Sequence, residues 1–156
     1  MKKQQKPILV LAMITAFIAV DLFLPVLISA DEVKYIDRFI ANKNGIVWDT
    51  KTGLEWIAGP DRNTTWYEAK RWVENLNVAG GGWRMPTRAE LKSLYSKGAG
   101  SRNMTPILKN TGWGVWSGET KSSLSAWFFY FSFGGEGWIS RDYSFTRRVF
   151  AVRSRR

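Results

Sequence analysis

T-G-L-E-W at residues 52–56, T-W-Y-E-A at residues 65–69 and W-R-M-P-T-R-A-E-L at residues 83–91 follow one another within one stretch of this chain. The first motif closes a predicted β-hairpin, because Gly53 can adopt the positive φ that a tight turn needs. The two strands of this hairpin are predicted at residues 46–49 and 54–58.

The second and third motifs each open a predicted α-helix. Thr65 and Thr87 are each followed three residues later by a glutamate, which is the spacing of a capping box. The first helix is predicted to extend to about Leu76. The second is predicted to extend to about Lys97 and to be stopped by Gly98.

The remaining segments complete an α+β pattern. Residues 35–41 are predicted as an edge strand, and residues 98–111 show no periodicity, so they are predicted as a long irregular loop. Two helices between an N-terminal hairpin and a C-terminal group of antiparallel strands are typical of the α+β class. The C-terminal strands are predicted at residues 114–118, 126–134, 137–141 and 147–153.

The three motifs, with V-W-S at residues 115–117 and R-R-V-F-A-V-R at residues 147–153, resemble the Lcl C-terminal domain family. This family is typified by the C-terminal domain of a collagen-like bacterial adhesin. The resemblance begins at about Tyr35 and implies a C-type-lectin-like fold, with two helices packed on antiparallel strands and a long irregular loop region. The implied ligand face comprises residues 98–125 and the hairpin at residues 134–143.

The chain has no cysteine, although members of that family often carry one in the first helix and another in the last strand. Val73 and Ala151 stand at the matching positions. Since both cysteines are replaced together, we expect apolar packing in place of the disulfide. Aromatic side chains must then supply much of the stability.

The first 30 residues have the features of an export signal. Three lysines precede a long apolar run, and Ala30 ends it as a small residue suited to cleavage. An uncleaved membrane anchor is the alternative, although Asp21 interrupts the run. Residues 31–156 are predicted to be one domain of an exported bacterial protein that is periplasmic, exposed on the cell surface or secreted.

The formal net charge of +10 favours anionic partners. The predicted partners are an anionic polysaccharide or another envelope or surface ligand, with an envelope protein as an alternative. Salt-sensitive attraction to DNA is expected of such a surface, but nothing in the sequence predicts specific nucleic-acid recognition.

The absence of histidine and cysteine excludes Ser-His-Asp and Cys-His catalysis and histidine or thiolate metal sites. No cofactor or metal is predicted, and the late carboxylates are too few and scattered for a calcium site. Glu119, Glu136 and Asp142 are the only acids after Glu90. A glycan-active enzyme that uses two of these carboxylates is a further alternative, although their spacing does not favour it.

The nine tryptophans divide into predicted core and predicted surface residues. Trp48, Trp56, Trp66 and Trp83 lie in the family motifs and are predicted to pack in the core. Trp113 and Trp138 follow glycines in loop or hairpin segments, where an indole can stack on a sugar ring. The predicted ligand-binding group comprises these two tryptophans and four nearby cations, namely Arg102, Lys109, Trp113, Lys121, Trp138 and Arg141.

Two further arginines are given structural roles. Arg84 is predicted to be a buried or half-buried guanidinium that donates to backbone carbonyl groups. Arg153 matches the arginine of the closing strand of the family. Along residues 147–153, alternation predicts that Val149 and Ala151 face one side and that Phe150 and Val152 face the other.

These features together predict an exported, non-enzymatic domain that binds a polysaccharide or another anionic ligand, with adhesion as a role the family resemblance suggests. The first alternative is an envelope protein-interaction module that uses the same loop face. The second is the carboxylate-based enzyme.

Overall fold

The computed structural model describes residues 33–155. The predicted export signal therefore lies outside the described residues. The α+β class is confirmed, because two helices combine with two sheets of mostly antiparallel strands. Within residues 33–155, no helix is both long enough and apolar enough to cross a membrane.

The elements alternate little: four strands come first, then two helices, then five strands. In chain order they are β1 (Lys34–Ile36), β2 (Phe39–Ala41), β3 (Val47–Asp49), β4 (Leu54–Ala58), α1 (Trp66–Glu74), α2 (Arg88–Leu94), β5 (Gly114–Thr120), β6 (Ser125–Tyr130), β7 (Gly135–Ser140), β8 (Arg147–Arg148) and β9 (Phe150–Ser154).

The first sheet has the strand order β1-β2-β3-β4-β9, and all of its neighbours are antiparallel. The predicted hairpin of β3 and β4 is confirmed, with Gly53 at φ +72° in its turn. The single edge strand predicted at residues 35–41 is wrong. The chain instead folds back at Asp37, whose φ is 55°, so that Ile36 pairs with Phe39 in a separate hairpin.

The second sheet has the order β7-β6-β5-β8, and β8 runs parallel to β5. The single strand predicted at residues 147–153 is therefore wrong. Arg147 and Arg148 pair with β5, and the chain then crosses to the first sheet, where β9 pairs with β4. At the crossing, the carbonyl of Val149 accepts a hydrogen bond from the Gly59 N–H at 2.9 Å.

Both predicted capping boxes are present. Thr65 and Glu68 cap α1, and Thr87 and Glu90 cap α2 in the same reciprocal way. The prediction that α2 reaches about Lys97 is wrong, since the helix ends at Leu94 and the next residue is extended. That residue, Tyr95, turns its ring onto Phe129, with the ring centres 6.1 Å apart.

The last strand lies between two hydrophobic clusters. Phe150 and Val152 belong to the cluster beneath α2, whereas Val149 and Ala151 belong to the cluster beneath α1. The predicted alternation of faces is confirmed. Val73 of α1 is buried in the same cluster as Ala151, so the two positions where the family often has cysteines are both occupied by buried apolar side chains.

The predicted core tryptophans are confirmed at three of four positions. Trp56, Trp66 and Trp83 are buried. Trp48 is half-buried, and the Arg155 guanidinium carbon lies 3.7 Å from its ring centre. Trp48 therefore lies at the surface of the first sheet under a cation.

The burial predicted for Arg84 is wrong, although its Nη1 does donate to one backbone carbonyl, that of Met85 at 3.3 Å. Its side chain is exposed and forks onto Glu90 with N···O distances of 2.5 and 2.8 Å. Arg153, by contrast, is buried. Its buried guanidinium donates to the carbonyl groups of Ala79 and Gly81, which confirms the structural role predicted for Arg153.

The hairpin of β6 and β7 has a different register from the one predicted. The predicted strands at residues 126–134 and 137–141 would put the turn at residues 135–136. The observed turn lies at residues 131–134, because Tyr130 pairs with Gly135. This register sets which aromatic residues lie opposite one another, and it therefore defines the surface described next.

Candidate functional site

Two tryptophans lie directly opposite one another in the second sheet. Trp127 of β6 pairs with Trp138 of β7 in the antiparallel register. Residues opposite one another in such a register project from the same face, with Cβ atoms about 5 Å apart. Trp138 is 56% exposed and Trp127 is half-buried, so the two indoles form an aromatic surface open to solvent.

Two cations adjoin this surface. The guanidinium carbon of Arg88, the first residue of α2, lies 4.2 Å from the centre of the Trp127 ring. The Lys121 ammonium lies 5.6 Å from the same ring, which is within cation–π range. We call Arg88, Lys121, Trp127 and Trp138 the tryptophan face.

Two carboxylates hold Arg88 in place. Glu119 Oε2 accepts from the Arg88 backbone N–H at 2.6 Å and lies 3.2 Å from its Nε. Glu136 Oε2 lies 3.1 Å from Arg88 Nη1. Arg88, Glu119 and Glu136 together carry a net charge of −1, and the positive charge of Lys121 brings the sum of the four side chains to zero. Lys121 has no ion pair with a carboxylate in residues 33–155.

The Glu119 carboxyl is held in its ionised form. Partial burial by itself would raise its pKa, but hydrogen bonds from the backbone and guanidinium of Arg88 and from Ser117 outweigh that effect. The pKa of Glu119 therefore lies below its usual value of 4.5. Hydrogen bonding to the charged form of an acid has this effect in general.

This pKa shift predicts how Glu119 contributes to stability. A carboxyl whose pKa is lower in the folded than in the unfolded state stabilises the fold above the unfolded pKa, and that contribution disappears as pH falls through the folded pKa. The difference in unfolding free energy between the natural protein and Glu119→Gln should therefore be largest near neutral pH. It should decrease below the usual pKa of 4.5.

Urea unfolding at neutral pH and at several acidic pH values measures this difference. Asp142→Asn is the control, since Asp142 is exposed and its carboxylate has no ion pair in the described part of the chain. A Glu119→Gln effect that stays constant as the pH falls would contradict the assigned role of the Glu119 carboxylate.

The same geometry bears on the enzyme alternative. A glycosidase needs one carboxylic acid whose pKa is raised so that it can protonate the leaving group. Glu119 has the opposite shift, and both Glu119 and Glu136 are paired with Arg88. This pair therefore does not meet the requirement for an acid and base.

Within residues 33–155, no three acidic side chains come together as metal ligands do.

Three of the six predicted site residues lie near the start of β5. Arg102 donates to the Thr111 carbonyl at 2.6 Å, and Lys109 is exposed on the same irregular segment. Both line a cavity of about 260 Å³. Trp113 is 53% exposed, and its backbone carbonyl accepts from Phe131 at 3.1 Å.

The other three lie toward the opposite end of β5 and β6. The Lys121 N–H donates to the Ser125 carbonyl, and Trp138 lies opposite Trp127. Arg141 donates to the Ser122 carbonyl at 2.8 Å, and its guanidinium carbon lies 4.7 Å from the Trp66 ring centre. These contacts give Arg141 a structural role.

The six residues consequently do not form one compact site. The Trp113 backbone is hydrogen-bonded to Phe131, and the Lys121 backbone is hydrogen-bonded to Ser125. Ser125 and Phe131 are six residues apart in the chain. Six residues of extended chain span about 20 Å. A single sugar unit cannot contact both ends, and the two ends can be tested separately.

Sequence reasoning missed Trp127 and Arg88. Trp127 was predicted only as part of a strand. The predicted hairpin register was wrong and did not place Trp127 opposite Trp138. The sequence G-E-G-W-I-S at residues 135–140 alternates glycine or isoleucine with other side chains, and this alternation could have indicated that the strand begins at Gly135. Arg88 offered no local signal, because its partners lie 31 and 48 positions away in the sequence.

Four aromatic side chains outside the tryptophan face are also exposed. They are Trp113, Phe133, Tyr143 and Phe145, which we call the aromatic end group. Arg147 adjoins one of them and is 3% exposed, with its guanidinium carbon 3.7 Å from the Phe128 ring centre and 5.4 Å from that of Tyr143. Arg147 forms no ion pair within residues 33–155; its Nη atoms donate to the hydroxyl groups of Thr146 and Tyr130, whereas its buried Nε has no hydrogen-bond partner there.

Comparison with protein-family models gives a match. A family model described as the Lcl C-terminal domain matches residues 45–153, which is more than half of the chain. The match confirms the family predicted from the three motifs. No curated protein matches the chain at a significant level of similarity.

Proposed function

Because the chain belongs to the Lcl C-terminal domain family, for which no enzymatic activity is indicated, we propose that it is an exported binding domain without catalytic activity. Its ligand is an anionic polysaccharide of the cell surface or its surroundings. The tryptophan face contacts this ligand.

The observation that carries the proposal is the exposed cross-strand arrangement of Trp127 and Trp138. Indole rings stack on the C–H faces of sugar rings, and two neighbouring indoles provide a wider platform than one. Strands hold the backbone of both residues, and Arg88 packs on Trp127, so little side-chain freedom is lost when a ligand binds.

The charges suggest how an anionic glycan is attracted. Lys121 can pair with a sulfate or carboxylate group next to a stacked sugar. Arg88 is already committed to Glu119 and Glu136. The excess of basic residues over the whole chain then supplies long-range attraction, which raises association rates more than it raises affinity.

The tryptophan face predicts a specific loss of binding. Trp127→Ala and Trp138→Ala should each raise the Kd for the bound glycan by about tenfold or more, as expected for central aromatic contacts. Isothermal titration calorimetry with dextran sulfate, polygalacturonate and neutral dextran measures the effect, at low and at physiological salt, with and without calcium. Dextran sulfate and dextran share one backbone, so their comparison isolates the anionic group.

Matched controls come from the other end of the predicted site. Trp113→Ala removes an indole that is 53% exposed, close to the 56% of Trp138. Lys109→Gln similarly matches Lys121→Gln. Unchanged binding in the two controls, with weakened binding in the tryptophan-face variants, is the expected result. Glycan binding that physiological salt abolishes, or that Trp138→Ala leaves unchanged, would refute the proposal.

The aromatic end group favours a second candidate, an envelope protein-interaction module. Phe133 and Phe145 are large, exposed and apolar, as residues at protein interfaces often are. Under this candidate, a protein partner binds with little dependence on salt. Binding of that partner should be lost in Phe145→Ser and retained in Trp138→Ala, which distinguishes it from the glycan proposal.

The proposal also includes a C-type-lectin-like fold and export of the protein from the cytoplasm. Two helices, two sheets of mostly antiparallel strands and a long segment between α2 and β5 support the C-type-lectin-like architecture that the family implies. Superposition of a crystal structure on known C-type lectin domains tests it. Export with cleavage after Ala30 predicts a mature protein that begins at Asp31, which N-terminal sequencing of protein from the periplasm or medium checks.

A further inference from the structure

A cavity of about 670 Å³ lies between the β1–β2 hairpin, the end of α2 and the irregular segment that follows α2. We call it the hairpin cavity. Its volume lies within the range of about 300–1,000 Å³ that is typical of small-molecule sites. The tryptophan face contributes no residue to its lining.

Apolar residues form part of the lining of the hairpin cavity. Phe39 and Leu94 line it, and both are buried members of the hydrophobic cluster beneath α2. Ile36, Tyr95 and Pro106 also line it. A ligand with an apolar body can therefore remove its surface from water here, at a gain of about 25 cal/mol for each Å² buried.

The opening of the cavity carries an excess of positive charge. Lys51 and Lys92 line it, are exposed, and have no ion pair with a carboxylate of residues 33–155. Asp37 is the lining carboxylate that opposes them. Arg38 also lines the cavity, but its Nε lies 3.0 Å from the buried Asp49 carboxylate, which neutralises it. The two lysines therefore leave one positive charge in excess over Asp37, and this charge favours an anionic ligand.

The walls are held together without a ligand. Arg38 Nη2 donates to the Ser93 carbonyl at 2.6 Å and thereby ties the hairpin to α2. The Ser96 N–H donates to the Asn103 carbonyl at 2.7 Å, which ties the end of α2 to the irregular segment. A cavity that already exists in the free protein costs little to organise when a ligand binds.

One wall lies outside the part of the chain that the family model matches. The β1–β2 hairpin supplies Ile36, Asp37, Arg38 and Phe39, and the match begins at residue 45. The cavity thus depends on a segment that precedes the residues matched by the family model. A ligand bound there would add a property to this chain that family membership does not supply.

We propose that the hairpin cavity binds a small amphipathic anion, namely a monocarboxylate with a medium-length apolar chain. The chain packs against Phe39, Leu94 and Tyr95, and the carboxylate pairs with Lys51 and Lys92 at the opening. This site is separate from the tryptophan face, so its occupancy does not depend on the proposed function.

The test uses isothermal titration calorimetry, in which the purified protein is titrated separately with decanoate, 1-decanol and decyltrimethylammonium. Decanoate should bind saturably with one site, and about tenfold or more tightly than the neutral and cationic analogues, because the opening favours an anion. Lys92→Glu should raise the decanoate Kd by about tenfold or more for the same reason. Ala99→Phe, which places a ring in the cavity, should abolish binding.

Two controls make the result decisive. Lys109→Glu changes the net charge as Lys92→Glu does, but Lys109 lines a different cavity. It should leave decanoate binding unchanged, and so should Trp138→Ala. Far-ultraviolet circular dichroism confirms that each variant is folded. The proposal is overturned if decanoate does not saturate, if decanol binds equally well, or if Lys109→Glu weakens binding as much as Lys92→Glu.

Discussion

Trp116→Ala is expected to lower the free energy of unfolding by about 3–5 kcal/mol, the range for truncating a large buried aromatic residue. Trp116 lies on β5, is 0% exposed and packs edge-to-face on Phe128 with ring centres 5.9 Å apart. Its Nε1–H donates to the Thr64 carbonyl at 2.7 Å, next to the N-cap of α1. The substitution removes the packing and leaves that buried carbonyl without its partner.

Urea unfolding followed by circular dichroism measures this loss. Trp116→Phe separates the two causes, because it keeps most of the ring packing and removes the hydrogen bond. It should cost less than Trp116→Ala. Trp138→Ala is the control for removing an exposed indole and should change stability by less than about 1 kcal/mol. A loss below about 1 kcal/mol for Trp116→Ala would contradict the packing described for β5.

Arg153→Ala is expected to have an effect of similar size, about 3–5 kcal/mol, because it breaks a buried ion pair from one side. Arg153 is 7% exposed, and its Nε donates to Glu55 at 2.8 Å. Its Nη1 donates to the Ala79 carbonyl at 3.0 Å, and its guanidinium carbon lies 4.2 Å from the Trp83 ring centre. The substitution leaves a half-buried carboxylate and backbone carbonyls without donors.

A double-mutant cycle with Glu55→Gln tests this explanation. Once Glu55 is neutral, Arg153→Ala should cost less than it does in the natural protein, since the unpaired carboxylate no longer contributes. Arg153→Lys should recover only part of the stability, because an ammonium cannot reproduce the fork of the guanidinium. Additive losses in the cycle would show that Glu55 and Arg153 are not coupled.

Features set by nearby residues could be predicted from the sequence. The two capping boxes involve side chains only three residues apart, and the β3–β4 turn depends on the positive φ available to Gly53. The two faces of β9 also followed from alternation, because any strand presents successive side chains to opposite sides.

Features set by distant pairing could not be predicted. The segment at residues 147–153 reads as one strand, and only its partners divide it between two sheets. Tyr95 continues the apolar stripe of α2, yet its packing on Phe129 favours an extended backbone and ends the helix. Arg84 is exposed rather than buried or half-buried, because burial depends on tertiary position.

The candidate site shows the same division. Trp138 and Lys121 were predicted from exposed indoles and nearby cations, which are local properties. Trp127 required the correct register of β6 and β7, and residues 131–134 contain two phenylalanines that resemble a continuing strand. The predicted turn at residues 135–136 would place Ser144, instead of Trp138, opposite Trp127, so an error in turn position is enough to hide a cross-strand pair.

The position of β9 beside β4 also affects how the chain can fold during synthesis. Glu55 and Arg153 are 98 positions apart, and their pairing closes the first sheet. Non-local pairings of this kind slow folding, because a long loop must be closed before the contacts form. A chain made from its N-terminus cannot complete this sheet until β9 (Phe150–Ser154) has left the ribosome. Until then, β4 lacks the strand that covers its edge, and exposed apolar surface and unpaired strand edges of this kind favour aggregation.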